Sequence, residues 1–171
     1  MWSYAARVEG AHEVGHPRSL PVVPQGGVGV GLDPRHQHER PFVGARVGLA
    51  HLRLSIIDVS GGAQPLGNED GRVVIVYNGE VYNYVELRAE LEAQGAQFRT
   101  QSDTEVIPLG YQLHGTSFFS RLNGMFAFAL ADFERRKLYL VRDHFGIKPL
   151  YYARTGDGVV FASTARSVAM H

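Results

Sequence analysis

Arg53, Asn78, Gly79, Glu80 and Asp103 are the residues of this chain whose types could do chemistry together. A guanidinium can hold a carboxylate through two parallel hydrogen bonds. A carboxylate can hold an ammonium, and an asparagine beside a glycine N–H can stabilise an oxyanion. Together they describe a pocket for a free amino acid whose side-chain carbonyl is attacked. Each has a plainer reading as well. Asn78-Gly79 can be a β-hairpin turn, and Arg53 and Asp103 can be a solvated ion pair or a charge at a helix N-terminus.

The elements that would position them follow from pattern. Val73-Val74-Ile75-Val76 reads as a buried strand, because β-branched side chains with stiff χ1 rotamers suit a covered, pleated surface. It runs into Asn78-Gly79, a pair that suits a tight turn. Upstream, Val47, Leu49 and Leu52 to Leu54 fit a strand ending at Arg53-Leu54-Ser55-Ile56-Ile57-Asp58. A loop from Ser60 to Gly71 closes on the turn Asn68-Glu69-Asp70-Gly71. Downstream, Asn83 and Glu86 have capping-box spacing, Leu87 and Leu91 face inward, and Gly95 ends the helix. A short strand from Gln97 to Thr100 leads to Ser102-Asp103-Thr104-Glu105, which starts a second helix. Val106, Ile107, Leu109, Tyr111 and Leu113 form its apolar side, and Pro108 should kink it. Met125 to Phe133 pairs with Leu138 to Val141 across Glu134-Arg135-Arg136, and Leu150 to Ala153 pairs with Val159 to Ala162. The class is α+β with antiparallel sheet.

Composition narrows the partners. The 171 residues suit one domain, which buries about 70% of its unfolded surface. Seventeen basic residues balance seventeen acidic ones, so nothing points to nucleic acid or an anionic membrane. No apolar leader or membrane-length run is present, and a cytoplasmic protein is expected. The absence of cysteine removes disulfides, thiolate metal sites and a thiol nucleophile.

Residues 1–41 differ from the rest. They hold five of the eight prolines, four of the eight histidines and no sustained period, and read as divergent and weakly structured. Gly26-Gly27-Val28-Gly29-Val30-Gly31 lacks the strand and helix that a phosphate loop needs. His36-Gln37-His38, with His12 and His16, lacks carboxylate or Cys companions at ligand spacing, so no metal is expected.

Five blocks then make the sequence recognisable: Leu49-Ala50-His51-Leu52-Arg53-Leu54-Ser55-Ile56-Ile57-Asp58, Tyr77-Asn78-Gly79-Glu80-Val81-Tyr82-Asn83-Tyr84, Ser102-Asp103-Thr104-Glu105, Gly124-Met125-Phe126-Ala127-Phe128-Ala129-Leu130 and Arg142-Asp143-His144-Phe145-Gly146-Ile147-Lys148-Pro149-Leu150-Tyr151-Tyr152. In that order they resemble the N-terminal glutaminase domain of glutamine-hydrolysing asparagine synthetases, a class II glutamine amidotransferase. The resemblance assigns residues 42–171 to that domain. It implies an N-terminal-nucleophile hydrolase-like αββα sandwich of two antiparallel sheets between helical layers. It further implies that Arg53 binds the carboxylate of L-glutamine, that Asp103 binds its amino group with Glu80 nearby, and that Asn78 and the Gly79 N–H form the oxyanion hole. Ile56 and Ile57 would shape the wall, and Leu54 counts with them among the glutamine-binding residues. Released ammonia would pass to a synthetase domain or subunit using ATP and magnesium. No cofactor is expected on this chain.

Two departures qualify the resemblance. The family begins Met-Cys-Gly-Ile, and that Cys serves as nucleophile and terminal amine. Here position 2 is Trp, and the family's His-Arg-Gly-Pro-Asp block upstream of His51 is absent. Ser3 and Ser19 are poor substitutes, so no catalytic nucleophile is assigned. If residues 1–41 replace the family's first strand, the sheet keeps an unpaired edge. No ATP-binding synthetase domain is expected within the residues up to His171. Three readings stay open: a fragment or frame-altered product of an asparagine synthetase gene, a non-catalytic glutamine-binding or docking module, and a glutaminase with an unrecognised nucleophile.

Overall fold

The strand rich in Val and Ile is the centre of the structure, and it is covered on both faces. The computed structural model of the chain describes residues 5–9, 19–21, 42–43, 47–49, 64–156 and 158–170. Among them the strands are β1 (Ala5–Glu9), β2 (Ser19–Pro21), β3 (Phe42–Val43), β4 (Gly48–Leu49), β5 (Leu66–Gly67), β6 (Val73–Val81), β7 (Gly124–Asp132), β8 (Lys137–Arg142), β9 (Tyr151–Thr155) and β10 (Gly158–Ala162). The helices are α1 (Tyr84–Ala93), α2 (Val106–His114) and α3 (Ala165–Ala169). One antiparallel sheet has the order β2-β8-β7-β6-β5, another the order β1-β10-β9, and β3 pairs with β4.

Period-two alternation sorts β6 and β7 into two cores. Val73, Ile75 and Tyr77 of β6, with Phe126, Phe128 and Leu130 of β7, pack under Leu87 and Leu91 of α1 and Val106, Ile107 and Tyr111 of α2. The alternate residues, Val74, Val76, Ala129 and Ala131, pack with Val47, Leu49, Leu138 and Phe161 of β10. The face toward the helices carries large aromatic rings, and the face toward the second sheet carries small side chains. The layers are helices, five-stranded sheet and three-stranded sheet, with α3 against β9 and β10.

Several expectations need correction. Asn78-Gly79 is no turn: β6 runs through it without a break, paired to β7 from Val73↔Asp132 to Val81↔Gly124. Glycine is required there by close approach, since a Cβ on Gly79, whose φ is +147°, would lie 2.1 Å from the Met125 carbonyl oxygen. Gln97 to Thr100 is no strand but a loop, tied down by Glu105 as described below. Asn83 stands at the N-cap of α1, yet its side chain does not cap the helix. It bridges to the next connection instead, with Nδ2 donating to the Arg121 carbonyl at 3.0 Å and Oδ1 accepting from Asn123 N at 2.9 Å. Pro108 lies in the first turn of α2, where an N–H has little to lose, and the break comes earlier as a 3-10 turn at Asp103–Glu105. Leu113 is exposed rather than inward.

The aperiodic N-terminal segment supplies two strands that its composition does not announce. β1 pairs with β10 from Ala5↔Ala162 to Glu9↔Gly158, so that edge of the sheet is occupied, and β2 pairs with β8. The glycine run and the His12, His16, His36 and His38 group lie outside the described residues, as does the segment from Ala50 to Ala63.

Candidate functional site

The N–H groups of Val73, Tyr77 and Val81 recur along one edge of β6, the edge away from β7. Three side-chain oxygens take them: Asn68 Oδ1 at 3.0 Å, Gln64 Oε1 at 2.7 Å and Asp103 Oδ2 at 2.9 Å. Among the described residues, only β5 pairs with this edge as a strand, over Leu66↔Ile75 and Gly67↔Val74. Where β5 ends, side chains complete the pairing that a further strand would otherwise make.

Asp103 is the member with functional potential. Besides Val81 N, its Oδ2 accepts the Tyr77 hydroxyl at 3.0 Å. Burial, followed by the Asp103 charge and this hydrogen bond, pushes the Tyr77 phenol well above its ordinary range, so it stays a donor. Asp103 therefore sits beside the end of β6, within a residue or two of Gly79 and Glu80.

The rest of Ser102-Asp103-Thr104-Glu105 holds Asp103 there. Ser102 Oγ accepts from Thr104 N at 3.2 Å, the capping expected for a residue that starts a helix. Glu105 is buried and folds the preceding loop back on itself. It accepts from Arg99 N at 2.9 Å, Thr100 N at 2.7 Å and the Thr100 hydroxyl at 2.6 Å. The motif reads in sequence as a helix start with one useful carboxylate. In the structure both of its carboxylates are anchors.

Asn78 is buried and, by alternation after Val74 and Val76, belongs to the face of β6 toward the second sheet. Gly79 sits opposite Phe126, and Gly124 lies so close to β6 that a Cβ there would stand 2.1 Å from the Glu80 carbonyl oxygen. Glu80 is half-buried. The structure thus gathers Asn78, Gly79, Glu80 and Asp103 around the end of β6. Arg53, Leu54, Ile56 and Ile57 lie outside the described residues.

Two residues that sequence reasoning did not single out support this end of the sheet. Asp143 follows β8 and is buried. Its Oδ2 accepts from Phe126 N at 3.2 Å and Lys148 N at 3.0 Å, and its Oδ1 accepts from Phe145 N at 3.1 Å and Ile147 N at 2.9 Å. Burial opposes its charge, but the N–H groups of Lys148, Ile147, Phe126 and Phe145 outweigh that and hold its carboxyl below the usual carboxylate range. Because Phe126 is the register partner of Gly79, Asp143 ties the following loop to the strand that supports Gly79. Tyr77, the other unforeseen residue, had one signal in the sequence, a polar-tipped ring at the end of an aliphatic run.

A helix-covered antiparallel sheet packed on a second antiparallel sheet defines the class, an α+β fold of the N-terminal-nucleophile hydrolase type. It is similar to glutamine phosphoribosylpyrophosphate amidotransferase from Bacillus subtilis complexed with ADP and GMP, at a TM-score of 0.61 and 26% identity, over 73% of this chain and 29% of that one. The chain belongs to the glutamine amidotransferase domain family, which matches residues 33–171. Within that family it is 50% identical over 127 residues to asparagine synthetase (glutamine-hydrolyzing) 1 of Bacillus subtilis, covering 74% of this chain and 20% of that protein. It is 48% identical over 122 residues to asparagine synthetase (glutamine-hydrolyzing) 2 of Arabidopsis thaliana, covering 71% of this chain and 21% of that protein. The chain spans about a fifth of the length of these curated relatives.

Proposed function

We propose that this chain is the glutamine-binding domain of an asparagine synthetase-type amidotransferase, and that it holds glutamine without hydrolysing it. One observation carries the reading. The Asp103 carboxylate sits at Val81 N on the edge of β6 away from β7, and by the period of two the Gly79 N–H belongs to that same edge. A carboxylate for an ammonium and an N–H for a carbonyl oxygen then stand two residues apart along one strand. In this reading Arg53 takes the glutamine carboxylate, Asp103 the amino group with Glu80 beside it, and Asn78 and Gly79 the side-chain carbonyl. Leu54, Ile56 and Ile57 supply the apolar wall.

Hydrolysis through a thiol needs a cysteine, and the sequence has none. ATP and magnesium belong in this account to the remainder of such a protein, a synthetase domain or subunit, and not to this chain. The setting is cytoplasmic; among the described residues no helix is long and apolar enough to cross a membrane.

The test is calorimetric titration of the chain with L-glutamine, run alongside an assay for released glutamate. Binding with no glutamate release is expected, together with at least a tenfold loss of affinity in Asp103→Asn. Steady glutamate release would overturn the non-hydrolysing reading. Unchanged affinity in Asp103→Asn would overturn the site.

A further inference from the structure

We propose that Tyr77 is a positioning residue for the ligand's amino group: its hydroxyl fixes one oxygen of the Asp103 carboxylate and so leaves the other for the ammonium of L-glutamine. This role rests on reading Asp103 as the residue that takes that amino group. It makes the preference for an α-amino acid depend on a side chain standing one step behind the carboxylate. Two bonds reach Asp103, from the Tyr77 hydroxyl at 3.0 Å and from Val81 N at 2.9 Å, and both meet the same oxygen, Oδ2. Among the described residues Oδ1 takes no hydrogen bond.

An ionised carboxylate offers acceptor sites on both oxygens, and loading one leaves the other with its whole capacity. With a single donor, either oxygen could turn to meet it. A backbone N–H and a phenol together fix the position of Oδ2, and because the group is planar Oδ1 is fixed with it. The residue behind Asp103 is itself rigid. The Tyr77 ring lies in the core between sheet and helices, and its N–H is taken by Gln64 Oε1 at 2.7 Å.

Packing alone does not call for that hydroxyl. Phenylalanine would fill the same space without burying a polar group, which is unfavourable unless the group is bonded. Asp103 is the partner that satisfies it, and burial followed by the Asp103 charge keeps the phenol protonated and donating. A carboxylate held this way loses little freedom when it binds. A charge-assisted hydrogen bond is also the stronger kind and depends on geometry. The gain therefore falls on ligands that bring an ammonium to Oδ1, and a ligand without one does not share it.

The experiment titrates the chain and its Tyr77→Phe variant with L-glutamine and with 4-carbamoylbutanoate, which keeps the carboxylate and the amide but lacks the amino group. The unaltered chain is expected to prefer L-glutamine. Tyr77→Phe should weaken L-glutamine binding about tenfold, the effect of losing one hydrogen bond to a charged group, and leave 4-carbamoylbutanoate within about twofold. Tyr111→Phe, which removes a buried hydroxyl bonded to Asp132 at the far end of β7, should alter neither affinity. A fluorinated tyrosine in place of Tyr77 gives a second reading with ring and hydroxyl retained. Its fluorine resonance should move with L-glutamine and stay still with 4-carbamoylbutanoate. Equal weakening of both ligands in Tyr77→Phe, an unchanged preference, or a fluorine resonance that responds to both alike would overturn the proposal and leave glutamine binding in place. An unaltered chain that binds both ligands equally, or neither, would remove Asp103 as the amino-group ligand and the role of Tyr77 with it.

Discussion

Asp143 and Asp132 are the two residues whose charge the fold depends on most directly. Asp143 gathers four backbone N–H groups, and without the carboxylate Phe126 N would be left buried and unpaired and the loop N–H groups of Phe145, Ile147 and Lys148 would lose their anchor. Asp143→Ala is expected to cost about 3 kcal/mol in urea unfolding. Asp132 is equally buried, at the far end of β7. It accepts from the Tyr111 hydroxyl at 2.6 Å, from Arg135 N at 2.7 Å and from the Arg135 guanidinium at 2.9 Å. Burial works against its charge, but those donors prevail and its pKa is lowered. For both carboxylates the folded pKa lies below the unfolded one. Their stabilisation is therefore fully present above about pH 4 and is lost as the pH falls through the lower folded values. Stability measured from pH 6 down to pH 2 should drop, and Asp143→Asn should flatten the drop. An unchanged slope in that variant would contradict this account of Asp143. Tyr111→Phe removes one donor to Asp132 and should cost about 1.5 kcal/mol.

At the scale of elements, the β6–β7 pair carries the candidate site, and two glycines let the strands approach. A methyl on Gly79 meets the Met125 carbonyl, and one on Gly124 meets the Glu80 carbonyl, both backbone atoms that cannot rotate away. Gly79→Ala and Gly124→Ala should each cost about 3 kcal/mol or more, read as a fall in the urea midpoint. Gly110→Ala belongs with them: its methyl would stand 2.2 Å from the ring of Phe118, which is fully buried in the core, and about 3 kcal/mol is expected.

These glycines also mark the limit of what the sequence made legible. Asn78-Gly79 reads as a turn and is continuous strand, because the reason for the glycine is a partner strand some fifty residues downstream, which a local turn rule cannot see. The run Val73 to Val76, the inward Leu87 and Leu91, and the hairpins of β7–β8 and β9–β10 were legible because local periodicity determines them. The Asn83 bridge and the Glu105 latch were not, since a capping residue's alternative partner is set by tertiary contact. Of the candidate site, Asn78, Gly79, Glu80 and Asp103 come together at the end of β6. The sequence could not show that Tyr77 and Val81 are what hold Asp103 there.

Across the whole molecule, a helix-covered sheet carries the candidate site and anchors the loop after β8, and a second sheet packs on its other face. The alanines of β7 allow the sheets to pack closely, and the aromatic rings on its other face fill the space under the helices. Phe128→Ala, at a fully buried position between sheet and helices, should cost about 4 kcal/mol by thermal or urea unfolding. A loss under about 1 kcal/mol would mean that the helical layer is not packed as described. The family match takes in every described element except β1 and β2, and the chain corresponds to about a fifth of its relatives, so what it does as a unit turns on whether it recognises glutamine. The most direct measurement is a titration of the isotopically labelled chain with L-glutamine followed by amide chemical shifts. The account predicts that perturbations centre on Asn78, Gly79, Glu80, Val81 and Asp103, and that they disappear in Asp103→Asn. No response at millimolar glutamine, or shifts confined to residues away from the end of β6, would contradict it.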